Sequence, residues 1–135
     1  MSHELDQTTL DKVREIYNAV ADIYGKQTDS FLTKQSNEEE LPDQDKLKQD
    51  RDWKELQRTL WTSKEKFKAA HETLQAKHDS KKIGEMIKQL TTVISCLNRL
   101  KQVAEEKRAQ KMTNEYQELI PPLTNQLEEL EKLEK

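Results

Sequence analysis

Two histidines, His71 and His78, stand two helical turns apart, so on an α-helix their rings would project from one face. Together with Glu72 or Asp79 they offer donor types that can hold a divalent metal. Two imidazoles with no further residues of ligand character nearby read better as surface side chains, and no metal is expected. His3 falls in a terminal stretch expected to fray. The single cysteine, Cys96, excludes both an internal disulfide and a paired-cysteine zinc site. A nucleophilic thiol needs a neighbouring base or a helix N-terminus to become a thiolate. Cys96 instead sits mid-helix beside Leu97, where it reads as a small core hydrophobe. The two glycines lie far apart, which rules out a glycine-rich phosphate loop. Carboxylates fall on the outer positions of periodic segments, whereas acid–base pairs need shaped, partly buried surroundings. No catalytic residue, cofactor or small-molecule substrate is therefore expected, and the chain reads as a non-enzyme.

The elements that would position these residues are helices. The stretch Ile83 to Ala104 is the most densely apolar. Ile83, Ile87, Leu90, Ile94, Leu97 and Ala104 recur at steps of four and three, with Lys101 interrupting, and Met86, Val93, Leu100 and Val103 widen the stripe. A face that broad must be covered by other helices. Upstream, Leu10, Val13, Tyr17, Val20 and Tyr24 form an amphipathic helix. Thr8 or Thr9 would cap it and Gly25 would stop it, with Phe31 and Leu32 packing back afterwards. Residues 33–45 hold Glu38, Glu39, Glu40 and Pro42 and read as a flexible acidic loop. A second helix is expected from Asp43 or Asp45 to Lys77. Its sparse stripe is Trp53, Leu56, Leu60, Phe67, Ala70 and Leu74, with Trp61 beside it. Asp79 or Ser80 would cap the third helix. After Ala104 the apolar phase shifts to Ala109, Thr113, Tyr116 and Ile120. Pro121-Pro122 then predicts a break, followed by a short last helix lined by Leu123, Leu127, Leu130 and Leu133.

The expected fold is all-α: one domain over 1–135, an antiparallel bundle of three long helices plus a short C-terminal helix after the Pro-Pro break. Apolar residues make up 33% and charged residues 36%, so the core should be thin. Nothing is apolar for long enough to span a membrane. The N-terminus lacks the basic and apolar regions of a secretory signal. With the lone cysteine, these features favour a cytoplasmic or nuclear setting. Charge is layered: net −7 over 1–45, +8 over 46–111 and −4 over 112–135. Such a chain can neutralise itself, or present its basic middle to an acidic partner.

A thin core without catalytic groups points to an adaptor or complex subunit that binds another protein, or itself. Leu123, Leu127 and Leu130 are the candidate contact face, unless that face docks within the chain. The alternative is binding of nucleic acid or another anionic surface through Arg51, Lys54, Arg58 and Lys68 on the second helix. Interspersed acids and a pI near 5.7 argue against nucleic acid.

Overall fold

The computed structural model describes residues 5–28, 47 and 50–134, with side chains from 5–23, 47 and 50–134. Among them every regular element is helical: α1 (Gln7–Thr28), α2 (Arg51–Lys77), α3 (Lys81–Glu106) and α4 (Gln110–Glu134). The expected acidic loop at 33–45 and the packing of Phe31 and Leu32 lie outside the described residues; the second helix, expected to run unbroken from Asp43 or Asp45, instead begins at Arg51 after an extended Asp50. The helices form a bundle in which α3 packs between α2 and α4, while α1 lies against α4 and, more briefly, α2.

The helix ends follow from local chemistry. Asp6, not Thr8 or Thr9, caps α1, because its Oδ1 accepts the Thr9 N–H at 2.8 Å. The Thr9 side chain, and then this backbone bond, hold the Asp6 carboxyl below the usual carboxylate range. Helix α1 then runs through Gly25 to Thr28. A helical glycine costs only about 1 kcal/mol against alanine, so it weakens the helix without obliging it to stop. Asp50 caps α2 by accepting the Trp53 N–H at 2.9 Å. Its other oxygen faces Lys107 Nζ at 3.7 Å, so it does not pair with Lys54 as i,i+4 spacing suggests. His78 closes α2 in the left-handed region at φ 53°, its N–H donating to the Leu74 carbonyl. Asp79, rather than Ser80, accepts the Lys81 N–H to start α3.

The phase change after Ala104 is a reversal. Lys107 and Arg108 form the turn, Arg108 at φ 59°, and the Ala109 N–H returns to the Ala104 carbonyl at 2.8 Å. Helix α4 then continues through Pro121 and Pro122 for 25 residues, so the last helix is neither short nor broken. Both prolines are exposed, as are Gln117 and Glu118, whose carbonyls lose their i+4 donors. Water can satisfy those carbonyls, which removes much of the penalty for an internal proline. The Thr124 hydroxyl adds a bond to the Ile120 carbonyl at 2.8 Å.

Ile83, Met86, Leu90, Val93, Leu97, Leu100 and Ala104 of α3 are all nearly or completely inaccessible to solvent. Ile87, Ile94 and Val103 are only partly buried, so the core axis lies on the Met86–Val93–Leu100 side of the expected stripe. Gly84 does not ease a crossing with α2. A Cβ there would meet the Glu134 carboxylate, at the far end of α4, at 3.0 Å.

Candidate functional site

His71 and His78 do not converge. His71 is buried and stacked on Tyr17, with ring centroids 4.1 Å apart and planes 8° from parallel. Tyr17 also stacks on Phe67 at 5.7 Å. His71 Nε2 lies 3.2 Å from Gln75 Nε2. That amide nitrogen donates to the Leu10 carbonyl at 3.0 Å, while Gln75 Oε1 accepts from Arg14 Nη2 at 3.2 Å. His71 is thus held as a neutral acceptor in the α1–α2 seam. Burial, then the Arg14 guanidinium, pull its pKa below the ordinary histidine value, against a smaller opposing effect of Glu72. His78 is exposed at the end of α2. Among the described residues, no three His, Cys, Asp or Glu side chains gather as a metal site.

Cys96 is buried in α3, and burial pushes its thiol up against a smaller opposing pull from Arg99, away from a reactive thiolate. The second polar group in the core is Tyr116, completely buried, whose hydroxyl accepts from Trp53 Nε1 at 2.9 Å and Gln57 Nε2 at 3.3 Å. Burial raises its pKa, so it stays a neutral phenol. These two networks tie α1 to α2 and α2 to α4.

Leu123 and Leu130 are completely buried, and Leu127 is half-buried against the same core. Most of this face thus packs within the chain. Arg51, Lys54, Arg58 and Lys68, in contrast, are exposed, and none of them forms an ion pair among the described residues. Lys68–Glu72, spaced for a pair, does not close. Sequence reasoning misplaced Trp61. Its ring is 52% exposed instead of lying against the core, with Lys64 Nζ 5.5 Å from the ring centroid. Burial pulls the Lys64 ammonium below the usual lysine range, against a smaller opposing effect of Glu65. The helical period shows why Trp61 is outside: Lys54, Arg58 and Lys68 lie three and seven residues away, on the same side of α2.

No family model, curated protein or solved structure matches this chain. Its site must therefore be read from its own surface, where a second basic feature stands out. Two adjoining hollows of about 390 and 340 Å³ run along the outer seam of α2 and α3. Arg58, Lys66 and Lys88 border the first, and Lys66, Lys82 and Lys88 the second. Gln89, almost fully buried, lines both and donates to Glu85 Oε1 at 2.9 Å. Among the described residues no helix is long and apolar enough to cross a membrane.

Proposed function

We propose that this chain is a small helical adaptor or complex subunit that acts by protein–protein interaction and not by catalysis, in the cytoplasm or nucleus. The observation that carries the reading is Trp61, a large indole held in water on the same side of α2 as Lys54, Arg58 and Lys68. Tryptophan and arginine are the residue types that most often anchor interfaces. The frame behind them supports the reading. Helix α2 packs against α3, which supports it from behind its outer side. The partner is another protein or a second copy of this chain.

The test is affinity capture of the tagged chain from its native cell, with sedimentation of the pure protein beside it. A stoichiometric protein partner, or self-association, that is lost in Trp61→Ala while helical content is kept supports the proposal. A monomer that captures no protein overturns it.

A second reading is binding of nucleic acid or another anionic surface through Arg51, Lys54, Arg58 and Lys68. The exposure and unpaired state of these four cations favours it. Its signature is affinity that falls steeply with salt. A low-salt titration with duplex and single-stranded oligonucleotides that produces no shift removes it.

A further inference from the structure

The seam between α2 and α3 carries an imbalance that the rest of the molecule does not explain. Acidic residues outnumber basic ones, 26 to 23. Yet Arg58, Lys66, Lys82 and Lys88 border one concave strip, and none of them has an ion-pair partner among the described residues. Glu85 is the one carboxylate among the lining residues, and it is engaged by Gln89. Elsewhere the fold does pair lysines: Lys12 with Glu129, Lys101 with Glu105, Lys107 with Asp50. Like charges left facing one hollow repel each other and favour an anionic occupant.

We propose that this strip is the docking groove for an acidic polypeptide segment, one rich in Asp and Glu, and that such a segment is the partner's contact. The proposal rests on the protein-interaction reading above and names the partner's chemistry. The lining explains why the occupant is a peptide and not a nucleic acid. Thr62, Ser63, Thr73 and Thr92 supply hydroxyls, and Glu85 supplies an acceptor. A peptide backbone has N–H donors to meet those acceptors, and a phosphodiester backbone has none. No aromatic ring lines the strip, so bases would find nothing to stack on. The lining runs along α2 from Arg58 to Thr73, which at 1.5 Å per residue is about 22 Å. That length accommodates about six or seven extended residues. Side-chain carboxylates would meet Lys66 and Lys88 at the centre, with Arg58 and Lys82 towards the ends.

The experiment is fluorescence anisotropy with the full chain, using fluorescein-labelled octaglutamate and a labelled fifteen-nucleotide oligothymidylate as probes, at about 20 mM and about 150 mM salt. Octaglutamate is expected to bind at low salt and more tightly than the oligonucleotide. The double variant Lys66→Glu/Lys88→Glu should weaken it by about tenfold or more. Lys54→Glu/Lys68→Glu, on the other side of α2, should change it by less than about twofold. Lys66, Lys88, Lys54 and Lys68 are exposed, so both variants should keep their helical content, checked by circular dichroism. Absence of binding at low salt, equal loss in the two variants, or tighter binding of the oligonucleotide each overturns the groove. A captured protein partner that still binds the Lys66→Glu/Lys88→Glu variant also overturns it, while leaving the broader protein-interaction reading standing.

Discussion

Two buried polar side chains, His71 and Tyr116, with the half-buried Gln75, decide how tolerant the core is to chemistry. Gln75 donates to the Leu10 carbonyl and lies against His71 Nε2, so a proton on that nitrogen would set two donors face to face. Burial, and then the Arg14 guanidinium, make the folded state bind this proton more weakly than the unfolded chain, so stability rises with pH across the transition. The contribution is complete above the ordinary histidine value of 6.5 and is lost as pH falls from there through the lower folded value. Urea midpoints at neutral and mildly acid pH should differ in the wild type. The difference should shrink in His71→Phe, which keeps a ring on Tyr17 and removes the titration. Tyr116→Phe leaves the buried Trp53 donor, and the half-buried Gln57 donor, without their acceptor and should cost about 1–3 kcal/mol in chemical denaturation.

At the scale of elements, two kinds of residue suited to ending helices lie inside them. Gly84 is one: the atom its Cβ would meet is the end of the flexible Glu134 side chain. Gly84→Ala should therefore stabilise the protein by about 0.5–1 kcal/mol, read as a higher urea midpoint. Pro121 and Pro122 are the other case. Replacing either with alanine restores one i→i−4 bond in α4 and should raise the thermal midpoint, by up to ~3 kcal/mol of stability per site. These positions also mark what was legible in the sequence. The all-helical class, the apolar stripe of α3 and a phase change after Ala104 follow from periodicity; that the change is a reversal does not. The course of α4 does not, because a proline's effect depends on whether its orphaned carbonyls reach water, and that depends on how the bundle turns them. Trp61 was misread for a similar reason: beside a sparse stripe, one helical step decides between core and solvent. The basic side of α2 was legible from spacing. The strip between α2 and α3 was not, since Lys66 and Lys88 are far apart in the chain and meet only through packing.

For the whole molecule, the burial of Leu123 and Leu130 sets what truncation does. Removing residues 121–135 cuts α4 in half and takes out two fully buried leucines. A single Leu→Ala at either site should already cost about 2–5 kcal/mol. The truncated chain should lose its cooperative thermal transition. Helix α1 stands at the other extreme. It meets α2 through the short seam of Arg14, Tyr17, His71 and Gln75, and its remaining support is α4. Amide exchange should thus be faster in α1 than in α2 or α3, because the least supported element opens first.

The two tryptophans divide the molecule's ultraviolet emission between inside and outside. Trp53 is shielded and bonded to Tyr116, whereas Trp61 stands in water on the side of α2 that carries Lys54 and Lys68. Iodide should quench one indole and spare the other, leaving a bluer residual spectrum. Denaturant would merge the two populations. The protein thus carries, without a label, one gauge of its own integrity and one of what settles on α2.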